Sequence, residues 1–279
     1  MSIHKERIDI LLVQQGLFAT REKAKAAVMA GLVFLDGNRL EKSGMKVPTH
    51  SIFTVKGEVH PYVSRGGLKL EKAIHHFALN LEGVTMLDIG ASTGGFTDCA
   101  LQHGAAHVYA IDVGYNQLDW SIRTHPKVHV MERMNFRYAK PEDLSGPKPN
   151  FATIDVSFIS LRHMLPPLNA FLSAGDRVVT LIKPQFEAGR AEVASSGIVR
   201  EAAVHRGLLQ QIVTFANSHG YRLEGLTYSP ITGGEGNIEF LALWSVQSQH
   251  VQSGSTSAEH VEPLIYQVVE EAHLRLVKN

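Results

Sequence analysis

"LDIGASTGGFTD", residues 87–98, decides how the rest of the chain is read. It closes the apolar run "VTMLDI" (84–89), which has the length of a buried strand, and leads into "FTDCALQHG", which has the spacing of a helix. Between them Gly90, Gly94 and Gly95 form a glycine-rich turn. Strand, glycine turn and helix in that order mark the ligand-binding corner of open α/β sheets. A dinucleotide fingerprint reads G-x-G-x-x-G, whereas this turn reads G-x-x-x-G-G and lacks the second glycine, through which a pyrophosphate approaches the backbone. Asp112, 22 residues beyond Gly90, ends the next apolar run and suits a carboxylate accepting hydrogen bonds from a ribose diol. NAD and S-adenosylmethionine both carry such a ribose, so the turn alone leaves both open.

Working outward, "HVYAID", "VHVME", "PNFATIDV" and "DRVVTLIK" repeat the short apolar strand, with "FTDCALQHG" and "LRHMLPPLNAFL" as helical connections. This alternation predicts an α/β fold with a mostly parallel sheet covered on both faces. "YRLEGLTYS" and "IEFLALWSV" add two strands that can pair antiparallel, and "LKLEKAIHHFAL" before the first strand has helical periodicity. Four chemistry-bearing positions fall at one edge of such a sheet. Asp155 and Lys183 end parallel strands, Glu239 begins an antiparallel one, and Lys69 lies on the preceding helix. Singly, each suits a surface charge or helix cap; as a set beside the glycine turn they form one cleft.

The N-terminal stretch has a different character. "ERIDILLVQQGL" predicts a short amphipathic helix stopped by Gly16. Thr20 is placed to cap a second helix, "REKAKAAVMAG", ended by Gly31. "LVFLDGNRL" predicts a hairpin turning at Asp36-Gly37-Asn38, and "SIFTV" another strand. Residues 1–60 hold nine Lys/Arg against six Asp/Glu, a net of +3 in a chain whose formal net charge is zero. The expected organisation is a small α+β domain at 1–60, a linker at 61–66, the α/β domain at 67–246, a flexible polar linker at 247–260 and an amphipathic helix at 261–279.

Composition narrows the classes. With 279 residues and 44% hydrophobic content the chain can bury a full core, and no apolar run approaches the length of a membrane span. No signal-peptide pattern opens the chain, which points to the cytoplasm. Cys99, the single cysteine, suits a buried thiol on a helix, and none of the 15 histidines has metal-site spacing, so no metal is expected.

The N-terminal set resembles the S-four RNA-binding domain, through Arg7, Asp9, Leu11 and Leu12, then "TREKAKAAVMAG", then "VFLDG". That resemblance makes Arg7, Arg21, Lys23, Lys25 and Arg39 candidate phosphate contacts, with Arg65 in the linker able to report RNA binding to the second domain. The four charged positions resemble the Lys-Asp-Lys-Glu tetrad of the FtsJ-like ribose 2′-O-methyltransferases. With the N-terminal module attached, the chain is similar to the TlyA family of rRNA methyltransferases, through "VSRGGLKL", "LDIGASTGGFTD", "AIDVGYNQL", "ERMNFR", "TIDVSFISL", "LIKPQFE", "SGIVR" and "GGEGNIEF".

The resemblance implies a Rossmann-like, seven-stranded S-adenosylmethionine-dependent methyltransferase sheet acting on cytidine ribose in rRNA of ribosomal subunits. It implies Lys69, Asp155, Lys183 and Glu239 as the catalytic set. Asp88, Gly90, Ser92, Gly94, Gly95, Phe96, Asp112, Asn135, Phe136 and Asp155 are the implied donor-binding residues. A ribose hydroxyl is a poor nucleophile near neutral pH, so a base must take its proton as the methyl arrives; Lys183 is assigned that role, with Lys69 as the neighbouring cation. The loop "QFEAGRAEVASSGIVR" is read as mobile until RNA binds, and the last helix as docking on the body or on a second copy in a homodimer. Two other readings accompany this one: a catalytically silent rRNA-binding factor, and the membrane-active haemolysin that some family members are labelled, for which the sequence offers no spanning segment or strongly basic amphipathic helix.

Overall fold

Two units divide the chain, Met1–Arg65 and Gly66–Asn279. The computed structural model describes residues 4–29, 31–56, 60–189, 197–233, 236–248 and 258–277.

The first unit begins with a strand, not a helix. β1 (Lys5–Arg7) pairs antiparallel with β4 (Lys46–Pro48), and α1 (Ile8–Gln14) starts only after it. Periodicity alone extends the helix back to Glu6; the backbone groups of residues 5–7 are instead taken by a partner some forty residues away, which no local pattern reveals. α2 (Arg21–Met29) is capped as expected, the Thr20 hydroxyl accepting from the Lys23 amide at 3.2 Å, and it ends at Gly31 with φ +70°. β2 (Val33–Leu35) and β3 (Asn38–Arg39) form the hairpin, with φ 51° at Asp36 and 79° at Gly37, the pair of positive angles that a tight two-residue turn requires. β5 (Phe53–Val55) pairs with the other side of β2. Ile8, Leu11, Leu12, Ala24, Ala27, Val28, Val33 and Phe53 are buried together beneath these elements.

The second unit opens with α3 (Gly66–His76) and then alternates strand and helix: β6 (Thr85–Ile89), α4 (Gly95–Gln102), β7 (His107–Asp112), α5 (Trp120–Arg123), β8 (Val128–Glu132), β9 (Phe151–Ile154), α6 (Leu165–Leu168) and β10 (Arg177–Ile182). It continues with α7 (Pro184–Glu187), α8 (Ala202–Ser218), β11 (Tyr221–Tyr228), β12 (Phe240–Val246) and α9 (Ala258–Leu276). The seven strands lie in the order β11-β12-β10-β9-β6-β7-β8. Only β12 is reversed, antiparallel to both β10 and β11, so its start lies at the edge where β9 and β10 end.

Alternation along the strands loads both faces. Leu87, Ile89, Ile111, Ile154, Ile182, Phe240 and Trp244 join α8 and α9 in one apolar cluster. The intervening residues, among them Met86, Val108, Val179, Leu181, Leu241 and Leu243, are also buried; α4 contacts β7 and α3 contacts β12. Two buried polar groups in this core are paired: the Trp244 indole donates to Thr180 Oγ1 at 2.9 Å and the Tyr221 hydroxyl to the Leu165 carbonyl at 2.8 Å.

One connection is shorter than expected, and the last helix starts three residues earlier than expected. "LRHMLPPLNAFL" is only a 3-10 turn at Leu161–His163 followed by the single turn of α6, because Pro166 and Pro167 can start a helix but cannot donate within one. The final helix starts at Ala258 and docks on its own chain: Val261, Ile265, Val268, Val269 and Ala272 join Leu208, Leu209 and Ile212 of α8 and Leu223 of β11 in the core. Its apolar face is covered within the protein. The central parts of the two expected flexible segments, 190–196 and 249–257, lie outside the described residues. No helix among the described residues is long and apolar enough to cross a membrane.

Candidate active site at the carboxyl edge of the sheet

The glycine turn works by close approach. At Gly90, φ is +88° and a Cβ would lie 2.3 Å from the Asp155 carbonyl oxygen, so only glycine lets the ends of β6 and β9 meet. The turn continues through Ser92 at φ 49° to Gly94 at φ 97°, which caps α4. Asp112 fixes the far side: one carboxylate oxygen accepts from the Ser92 amide and the other from the Gly114 amide, both at 2.7 Å. Each oxygen keeps a lone pair for a further donor.

These elements enclose a cavity of about 460 Å³. Gly90, Ser92, Asp112, Asn135, Phe136 and Asp155 line it, together with apolar walls from Ile89, Ile111, Val113, Met134 and Ile159. The volume suits a nucleoside-sized ligand. A carboxylate near a ribose diol, an apolar slot for a flat base and a second carboxylate for a cationic centre are the features S-adenosylmethionine requires, and this cavity supplies all three.

Some residues assigned to the donor do not line the cavity. Asp88 is wholly buried, accepting from Thr97 Oγ1 at 2.6 Å and from Thr153 Oγ1 at 2.9 Å. Burial pushes its pKa up to about 6 against the pull of those hydroxyls. It ties β6 to α4 and β9, and so supports the turn from behind. Gly95 and Phe96 are buried in the first turn of α4 and likewise lie outside the lining, as does Gly94. The strand period explains this: Asp88 and Ile89 face opposite sides of the sheet.

The four charged positions form two ion pairs. Lys183, the residue after β10, brings Nζ within 2.5 Å of Asp155 Oδ1 and donates to Ser157 Oγ at 2.9 Å. Lys69 on α3 donates to Glu239 Oε2 at 2.6 Å, and both residues are buried. Burial pushes the Glu239 pKa upward, while the Lys69 ammonium pulls it down. Lys69 thus has its own carboxylate partner. Asp155 belongs both to the donor cavity and to the Lys183 pair.

Two contributors are not recognisable from the sequence, although they lie inside "TIDVSFISL" and "GGEGNIEF". Ser157 holds Lys183, and Gly233 leaves room for Glu239, since a Cβ there would fall 2.1 Å from Oε1. Serine and glycine are common in loops, and only the contact reveals them.

In the first unit, Arg7 and Arg21 both grip the buried Asp9: Arg7 Nε at 2.9 Å from Oδ1 and Arg21 Nη2 at 2.9 Å from Oδ2. The Arg7 hydrogen bond is the largest cause holding the Asp9 pKa down to about 2. These two arginines therefore join the ends of α1 and α2. Lys23 is exposed, Lys25 is half-buried, and the exposed Arg39 lays its guanidinium against Gly31. Arg65 is exposed immediately before α3.

Comparison with known proteins identifies both units. Residues 62–245 match the FtsJ-like methyltransferase family and residues 6–52 match the S4 domain. A Bacillus subtilis protein named "Putative rRNA methyltransferase YqxC" is 54% identical over 99% of this chain and 97% of its own. The Mycobacterium tuberculosis 16S/23S rRNA (cytidine-2′-O)-methyltransferase TlyA is 37% identical over 96% of this chain and 98% of its own. A solved structure described as "Putative hemolysin from Streptococcus thermophilus" is 49% identical with a TM-score of 0.76, covering 98% of both chains. With its cavity, its two ion pairs and these matches across both units, the chain belongs to the FtsJ-like methyltransferases that carry an N-terminal S4 domain.

Proposed function

We propose that this protein transfers the methyl group of S-adenosylmethionine to a ribose 2′-hydroxyl of ribosomal RNA, at cytidine, within ribosomal subunits in the cytoplasm. The observation that carries the reading is the double placement of Asp155, which lines the nucleoside-sized cavity and pairs with Lys183 at 2.5 Å. A base and a methyl donor are useful to each other only when they meet at one reacting oxygen, and Asp155 is where the two halves of the site touch. The cytidine assignment rests on likeness to the TlyA relative.

When bound, the donor supplies an electrophilic methyl on a sulfonium. Gly90, Ser92 and Asn135 line its cavity, Asp112 receives the ribose diol, and Asp155 offers negative charge toward the cationic end. Lys183 accepts the proton of the 2′-hydroxyl, while Asp155 and Ser157 fix the direction of Nζ. The Lys69–Glu239 pair holds the start of β12 to α3 beside this edge of the sheet. Methyl transfer to a held hydroxyl would depend on alignment, so the positioning of Lys183 by Asp155 and Ser157 would supply much of the rate, roughly 7 kcal/mol or more in ideal cases. The S4-like unit captures RNA through Lys23, Lys25 and Arg39.

The test is transfer of labelled methyl to purified, unmodified ribosomal subunits, native protein beside Lys183→Ala. Native protein is expected to label a ribose 2′-oxygen, and the variant to bind donor but fall by about a hundredfold or more in turnover, the range of general-base loss. RNA binding without labelling by native protein would identify a silent binding factor.

A further inference from the structure

The Asp155–Lys183 pair joins two loops that leave adjacent parallel strands, β9 and β10, and nothing in the sheet itself holds loops together beyond the last ladder bond. A second layer of contacts lies just behind it. Glu187, four residues after Lys183, reaches back to the first loop: Oε2 accepts from Ser160 Oγ at 2.5 Å and Oε1 from the Leu161 amide at 2.7 Å. Between the two layers the rings of Phe158 and Phe186 meet at 5.0 Å, tilted by 49°. The seam therefore runs from Lys183 with Asp155 and Ser157, through Phe186 with Phe158, to Glu187 with Ser160 and Leu161.

The backbone indicates that the seam is held under constraint. Phe158 has φ 64°, a left-handed conformation that a bulky aromatic rarely adopts, and its side chain is 90% exposed, so burial does not compensate for it. Ser160 is itself used twice, donating to Glu187 and accepting from the Arg162 amide at 3.1 Å, while the buried Leu161 anchors the 3-10 turn in the core. Glu187 thus links a rigid point of the core to the short helix that begins next to Lys183. Burial pushes its pKa upward, and the Leu161 amide and the Ser160 hydroxyl oppose this.

We propose that Glu187 is the positioning residue of the catalytic pair: its carboxylate staples the loop after β10 to the loop after β9 and so sets where Lys183 Nζ stands relative to Asp155. Glu187 touches neither the donor cavity nor any member of the tetrad, so it acts through Lys183. The assignment rests on the proposed role of Lys183, and its test separates the two.

Native protein, Glu187→Gln and Ser160→Ala are compared by two measurements. The first is the rate of acetylation of each lysine by a dilute amine-acylating reagent, read by mass spectrometry. In Glu187→Gln, which keeps the shape and removes the charge, Lys183 is expected to react at least roughly threefold faster, as a weakened charge-assisted hydrogen bond exposes the amine, while Lys69 is unchanged. Ser160→Ala moves Lys183 in the same direction by less, and the double variant equals Glu187→Gln, because both substitutions break one interaction. The second measurement is kcat and donor affinity: kcat at saturating donor is expected to fall at least about tenfold, a larger factor than the loss of donor affinity, since the stapled loop also lines the donor cavity through Ser157 and Phe158. A purely structural glutamate would lower the melting temperature and leave the Lys183 to Lys69 labelling ratio as it was; an unchanged ratio overturns the proposal, as does kcat within about twofold of an active native enzyme. If native protein methylates no RNA, the methyl-transfer reading fails, and the labelling ratio alone still decides the staple.

Discussion

Lys69 and Glu239 show what a single residue contributes when it is buried with its opposite charge. Both side chains are almost wholly enclosed, 2.6 Å apart, and removing one leaves the other without compensation. Lys69→Met is therefore expected to destabilise the fold by about 3–5 kcal/mol, the usual result of breaking a buried pair from one side. The loss has a defined pH dependence. Burial already raises the Glu239 pKa, and without the lysine it rises further, so the folded variant prefers the protonated acid. A carboxyl raised in the folded state contributes stability at low pH that is lost as pH climbs through its folded value, so Lys69→Met is closest to native in mild acid and falls away toward alkaline pH. Lys69→Met with Glu239→Gln removes the stranded charge and is expected to recover most of the loss. Urea unfolding of the three proteins at several pH values reads this directly, and a double variant no more stable than the single one would refute it.

Elements are legible where the chain repeats a local rule. All seven strands of the large sheet stand where alternating apolar runs place them, and the hairpin at Asp36-Gly37 follows from turn chemistry alone. β1 is not legible, because its pairing with β4 is non-local, and α6 is shorter than apolar spacing suggests because two prolines outweigh that spacing. The tetrad is legible as four strand-end and helix positions with Asp155 orienting Lys183, whereas the direct bond of Lys69 to Glu239 is seen only in the structure. For the C-terminal helix the sequence leaves two docking sites open, and the structure places its apolar stripe against α8 and β11. One polar contact in that interface is titratable. His205 Nδ1 and His273 Nε2 lie 2.9 Å apart, with Phe240 edge-on to His205. Burial first, then His273, pushes the His205 pKa down to about 4, opposed by the Val199 backbone. Arg206, Glu201 and Glu270 complete the charged groups facing His273, which burial also shifts downward. A histidine lowered in the fold contributes stability that is present above its ordinary value and is lost as pH falls toward the folded value. Docking of α9 should therefore weaken by about 2 kcal/mol between about pH 7.5 and about pH 5. Hydrogen exchange of the α9 amides measures this, and His205→Leu should flatten the dependence; an equal acid loss in the variant would assign it to other groups.

At the scale of the whole molecule the chain joins an α/β unit that carries the chemistry to a small unit that carries a positive excess. Tethering converts RNA capture by the small unit into a raised local concentration at the cleft, and an effect of that kind changes how much RNA is needed without changing the chemical step. The residues that test it have to be chosen from the structure. Arg7 and Arg21 hold Asp9, and their removal would damage the fold of the unit as well as any grip on phosphate. Lys23, Lys25 and Arg39 take no part in gripping Asp9; Lys23 and Arg39 are exposed and Lys25 is half-buried, so alanine at all three removes charge at a smaller structural cost than loss of Arg7 or Arg21. In the full-length protein this triple variant is expected to keep kcat at saturating RNA within about twofold and to raise KM for RNA by tenfold or more, since fewer counterions are released on binding. The slope of log kcat/KM against log salt should become shallower by about one for each phosphate-neutralising cation removed. The salt series is read beside thermal unfolding of the variant, because a misfolded unit would also lose its phosphate contacts; a shallower slope with an unchanged melting temperature assigns the loss to the three cations. A fall in kcat at saturation with KM unchanged would mean that the basic unit acts on alignment at Lys183 and not on capture.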